Sequence, residues 1–188
     1  MMAVSRRALL SLWFEGDAAV ERASWFRRDD AFDATLRAFL PLTAALVAGA
    51  PPPAEPELSA DEAALAEVIA CDQVPRNCHR GAARAYEADA AALALARAAV
   101  AGGALGRLPH AWQRLFLLLP FMHCEDAAAH AEAAPLWPPA LAEFARKHEA
   151  VVARFGRFPH RNELLGRAST QEELEHLASP ERQAWERA

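Results

Sequence analysis

The chain has 188 residues, 53% hydrophobic and 24% charged, with 20 Lys and Arg against 25 Asp and Glu for a formal charge of −5. This is the composition of a globular protein, long enough for one domain to bury a core without disulfides or metals, and not that of a disordered chain. The acidic balance excludes the broad basic face that general binding to nucleic acid or to an anionic membrane requires. Cys71, Cys78 and Cys124 are an odd count with no Cys-x-x-Cys spacing, and they read as reduced cytoplasmic thiols.

Ser5 to Phe14 predicts a short helix. The apolar run inside "MMAVSRRALLSLWFEGD" is short for a signal peptide, and Glu15 and Asp17 fall where a small-residue cleavage site belongs, so no leader is expected. The longest uncharged run, Ala38 to Ala54, holds four prolines and falls short of the roughly 20 residues of a spanning helix. A cytoplasmic chain that does not cross a membrane is the expectation.

Asp29 or Asp30 suits an N-cap, with Phe32, Leu36 and Phe39 on one face of the helix that follows. Pro41 should kink or end that helix before Leu42 to Val47 continues. Residues 49–57 read as a proline-rich surface linker. Ser59 and Glu62 form a capping box ahead of the stripe Leu65, Val68, Ile69, and the turn "DQVPRNCHRG" is expected to close that helix. Tyr86 to Ala101 should be an alanine-rich helix ended by two glycines. A helix from Pro109 to Leu119 should be interrupted by Pro120, and "FMHCEDAAAHAEAA" should restart it. Trp137 to Phe155 is the clearest amphipathic segment, with Leu141, Phe144, Val151, Val152 and Phe155 inward and Gly156 as its cap. Ser169 and Glu172 read as a second capping box. No alternating strand and no fixed-period repeat is found. The fold class expected is all-α: an antiparallel array of about eight helices in one domain, 1–188, with its core at about 9–177 and a polar tail at 178–188.

Several polar residues fall where the core should be. Asp72 continues the stripe of Leu65, Val68 and Ile69, at a helix C-terminus by this reading, and requires a partner that Arg76 or Arg80 can provide. His148 lies between Phe144 and Val151 in the inward register. In "HCEDAAAH", offsets of three and four place His123, Asp126 and His130 on one helical face. His123 and His130 are then about 10 Å apart along the axis, too far to share one ion, so no metal is expected. Acids beside Cys124 disfavour a thiolate. No nucleophile elbow, Walker loop or dinucleotide fingerprint occurs. "RFGRFPHRNELLGR" closes the chain's most cationic window: Arg146, Lys147, Arg154, Arg157, Arg161 and Arg167 face Glu149 and Glu163, a local charge of about +4, which the acidic "QEELEHL" can neutralise or an anionic ligand can use.

"SWFRRDDAFDATLR", "CDQVPRNCHRGAARAYEAD", "LLLPFMHCED" and "HEAVVARFGRFPHRNELLGRAST" resemble, in order, a bacterial family of unknown function, domain nine-two-four. The resemblance runs from about Leu9 to Leu177. It implies an all-helical, tetratricopeptide-like fold and no particular activity. Asp72, Arg76, His123, Glu125, Asp126, His148, Arg157, His160 and Arg161 fit the family pattern. Cys71, Cys124, the alanines after "HCED" and Pro41 depart from it.

The functional expectation is a helical binding module whose Asp72, Arg76, Asn77, Arg157, His160 and Arg161, with His148, converge on one partly enclosed hollow for a small anion or a carboxylate-ended peptide. The alternatives are a hydrolase or lyase using Glu125 or Asp126 with His123 or His148, and a scaffold in which these groups only fasten helices together. No cofactor, nucleic acid or membrane is expected as a partner. The oligomeric state has no signature in the sequence.

Overall fold

Ser5 opens helix α1 (Arg6–Trp13) as its pattern predicts, its hydroxyl accepting from the Ala8 N–H at 3.1 Å. The computed structural model describes residues 5–180 and 182–187. Residues 1–4, where the rejected leader reading begins, and residues 181 and 188 of the polar tail lie outside the described residues. Every regular element among the described residues is α- or 3-10-helical, so the all-α class holds. No helix among them is long and apolar enough to cross a membrane. The chain divides into two compact units, residues up to 80 with 84–121, and residues 81–83 with those from 122 onward.

In the first unit, α2 (Ala23–Phe26) is followed by α3 (Asp30–Leu36), capped by Asp29, whose carboxylate accepts from the Ala31 and Phe32 N–H groups. A 3-10 turn at Arg37–Phe39 leads into α4 (Leu40–Val47), whose first turn accommodates Pro41. The expected interruption is there, and Phe32, Leu36 and Phe39 are all buried. The capping box of Ser59 and Glu62 opens α5 (Ala60–Cys78), and α6 (Asp89–Ala101) and α7 (Ala104–Arg107) follow. Gly103 between them has φ +80, a left-handed conformation that glycine adopts without strain. α8 (Ala111–His123) contributes its residues up to Phe121 to this unit.

α5 is the axis of the unit, packed by α1, α3, α4 and α6. It does not end at "DQVPRNC" as expected; it runs through Pro75 to Cys78. From Leu65 to Pro75 every residue except Glu67 is buried. Burying Leu65, Val68, Ile69 and Val74 contributes roughly 1.5–3 kcal/mol each, which together outweigh the ~3 kcal/mol cost of an interior proline. Just before the proline, the buried Thr43 hydroxyl donates to the Ala70 carbonyl at 2.6 Å. Thr43→Val keeps the shape and removes that donor, and an urea titration should show a loss of about 1 kcal/mol. The same logic carries α8 through Pro120, where residues 115–122 are all buried. The core also holds an aromatic cluster: Phe116 meets Trp13 at 5.2 Å and Trp25 at 5.0 Å, both edge-on.

In the second unit, Cys124 to Asp126 break the helix that the sequence reading restarts, and Asp126 caps α9 (Ala127–Ala133) by accepting from the Ala128 N–H at 2.9 Å. This corrects the shared face of His123, Asp126 and His130: His123 ends one helix, Asp126 precedes the next, and only His130 lies within it. α10 (Pro139–Phe155) ends at Gly156, φ +70, as its cap predicts. Its inward stripe is Ala145, His148, Val151 and Val152, while Phe144 is 42% exposed rather than buried. α11 (Gln171–Ala178) is opened by a capping box of Thr170 and Glu173, one residue later than the Ser169 and Glu172 of the sequence reading.

Candidate functional site

Three expected site residues, Asp72, Arg76 and Asn77, lie on α5 in the first unit. With the helix extended, Asp72 stands in its interior and not at its C-terminus. The carboxylate is 1% exposed, accepts from the Gln73 amide and pairs with Arg76 at 3.2 Å. Arg76 forms a two-pronged pair with Asp89, at 2.7 and 2.9 Å, and lies over the Tyr86 ring. Burial works against its charge, but Asp72 and Asp89 more than offset it and raise its pKa. Asn77 donates to the Gln73 carbonyl and accepts from Arg80, which also grips the buried Asp33. Cys71 and Cys78 carry free thiols that burial pushes up to about 12 and about 11, so neither is a nucleophile near neutral pH.

The other seven residues lie in the second unit, where the cations of "RFGRFPHRNELLGR" turn out to hold a turn in place. Glu125 accepts from both Arg167 guanidinium nitrogens, at 2.6 and 2.9 Å, and from the Phe158 N–H at 2.7 Å. Burial would raise its pKa, but those bonds outweigh burial and lower it. Arg161, 6% exposed, donates to the His123 carbonyl at 2.9 Å and sits over the Phe158 ring. Arg157 grips Glu173 with two bonds, at 2.7 and 2.8 Å, and donates to the Ala168 carbonyl. Glu173 also accepts from Asn162 and from the Thr170 N–H, and the Arg157 bond is the first cause of a pKa held down at about 2.

Phe158, fully buried, is surrounded by imidazoles. His130 lies 6.4 Å from its ring, His148 6.1 Å and His160 5.6 Å. Trp185 stacks on His148 at 3.7 Å. Burial lowers the pKa of all three imidazoles, to about 3 for His148 and for His160, and keeps them neutral. His148 binds the Phe144 carbonyl at 2.9 Å, and His130 binds the Cys124 carbonyl at 3.0 Å. The Nδ1 of His160 is buried with no hydrogen-bond partner among the described residues. Among those residues no group of three or more His, Cys, Asp or Glu is placed to hold a metal ion.

A hollow of about 210 Å³ opens beside α9 and α10 in this unit, lined by His130, Ala134, Trp137, Ala142, Ala145, Arg146 and Glu149. None of the expected site residues lines it. Arg146 and Glu149 differ from the clamp residues: neither side chain has a hydrogen bond or an ion pair among the described residues. Sequence reading counted both only within the cationic window. The clue it had was that Ala134, Ala142 and Ala145 are too small to fill the space beside Trp137.

These features define an all-α protein of two compact units, with most of its unusual polar residues drawn into intramolecular clamps. The chain belongs to the family described as bacterial protein of unknown function (DUF924), whose model matches residues 9–181. That confirms the resemblance carried by its motifs. It is also similar to a solved structure, that of a protein of unknown function from Agrobacterium tumefaciens. The two are 31% identical, the match covers 92% of this chain and 96% of that chain, and the TM-score is 0.75. No curated protein matches the chain.

Proposed function

We propose that the protein is a helical binding module for a small carboxylate-bearing ligand, which the hollow of the second unit receives with Arg146 as its anchor. The observation that carries this reading is the state of Arg146. Arg76, Arg157 and Arg167 are each already gripped by a protein carboxylate, whereas Arg146 meets none and stands on the wall of a cavity beside an indole. A guanidinium recognises a carboxylate through two parallel N–H donors. The hollow is smaller than the roughly 300–1,000 Å³ of drug-sized sites, which favours a small acid over a peptide.

Catalysis has less support from the same geometry. Glu125 is ionised and committed to Arg167, and His148, with a pKa near 3, is a weak base at neutral pH. Calorimetric titration of the full chain with 4-methylpentanoate tests the proposal. Saturable binding is expected, with at least a tenfold loss in Arg146→Ala at unchanged melting temperature. Equal binding to the variant, or no binding of either 4-methylpentanoate or leucine to the wild-type chain, would refute it.

A further inference from the structure

We infer that the ligand of this hollow is a zwitterion of the free amino-acid class, its carboxylate on Arg146 and its ammonium group on Glu149. The inference rests on the reading just given and adds the ligand's second charge. Arg146 and Glu149 are three residues apart on α10, about 4.5 Å along the axis and on neighbouring positions of one face. Opposite charges three or four residues apart on a helix commonly close on each other, and Glu143 and Lys147, four apart on this same helix, do so at 3.4 Å. Arg146 and Glu149 form no such pair, yet both line the hollow. A molecule with a carboxylate and an ammonium group on the same carbon offers each of them its complement at once. A plain carboxylate leaves Glu149 beside its own negative charge, which costs affinity.

The rest of the lining suits the same class. Ala134, Ala142 and Ala145 leave room for a short aliphatic side chain under the Trp137 indole. His130 binds the Cys124 carbonyl through Nε2, so that nitrogen carries the hydrogen and Nδ1 is an acceptor, a second site for an ammonium N–H. Because burial lowers its pKa, His130 brings no positive charge to compete for Glu149 or to repel the ammonium group.

Three probes sharing one carbon skeleton separate the charges: leucine, 4-methylpentanoate without the amine, and 3-methylbutylamine without the acid. Each is titrated calorimetrically into the full chain and into Arg146→Ala and Glu149→Gln, with melting temperatures as a check on folding. Both positions face solvent in part, so both variants should fold. Leucine should bind at least tenfold more tightly than 4-methylpentanoate, and Glu149→Gln should abolish that difference while retaining the binding of the plain acid. Equal binding of leucine and 4-methylpentanoate, or a preference unchanged in Glu149→Gln, overturns the zwitterion and leaves the carboxylate site standing. If neither acid binds, the carboxylate site falls and the zwitterion with it.

Discussion

Glu173→Ala is expected to destabilise the protein by about 3 kcal/mol, read as a shift of the urea midpoint at unchanged slope. Glu173 is 2% exposed and accepts from the Arg157 guanidinium, the Asn162 amide and the Thr170 N–H. Its removal strands three donors, of which Arg157, at 28% side-chain exposure, recovers some water. The loss therefore falls at the lower end of what breaking a buried pair costs. Glu172 is the internal comparison. It pairs with Arg154 at 2.8 Å, but both side chains are more than half exposed, so Glu172→Ala should cost no more than about 0.5 kcal/mol. Equal effects of the two substitutions would show that the clamp around the 154–167 turn does not hold it.

The second large effect concerns acid. His148 and His160 titrate at about 3 in the folded chain and near 6.5 when unfolded. Between those values the unfolded chain binds the protons and the folded one does not, so stability falls as pH drops below about 6.5 and levels off only near 3. Each imidazole sets a limiting slope of about 1.4 kcal/mol per pH unit. The Glu173 contribution has the opposite origin, a carboxylate pKa depressed on folding. It is fully present above about 4.5 and lost as pH falls towards about 2. Urea midpoints between pH 7 and pH 5 therefore isolate the histidines. His148→Phe should reduce the slope in that window, and a slope unchanged in the variant would contradict the burial of a neutral imidazole against Trp185.

The all-α class was legible because caps and periodicity are local. Ser5, Asp29, the Ser59–Glu62 box and Gly156 do what their spacing predicts, since each needs only its own turn. The misreadings share a different cause. Pro75 and Pro120 read as helix ends in the sequence because their cost is local, whereas the burial that outweighs it comes from packing. Phe144 follows the apolar period, yet the small Ala145 faces inward in its place, while His148, Val151 and Val152 lie inward as their register predicts. Thr170 displaced Ser169 as cap because Glu173, not Glu172, can meet Arg157 and Asn162.

The candidate site was legible as a set of polar residues and not as a geometry. Clustering of cations at 154–167 announced a need for counter-charge, and Glu125 and Glu173 meet that need from elsewhere in the chain. No residue type distinguishes a gripped arginine from an ungripped one. Arg146 was visible only as one cation among six; what sets it apart from Arg154, Arg157 and Arg167 is the absence of a protein carboxylate, which is a matter of coordinates.

The most direct test compares Arg157→Ala with Arg146→Ala for both melting temperature and leucine binding. A clamp and a ligand anchor predict opposite results: Arg157→Ala should lower the melting temperature by several degrees, and Arg146→Ala should leave it within about one degree while abolishing binding. If Arg157→Ala loses ligand without losing stability while Arg146→Ala still binds, the assignment of the two arginines is reversed and the account fails.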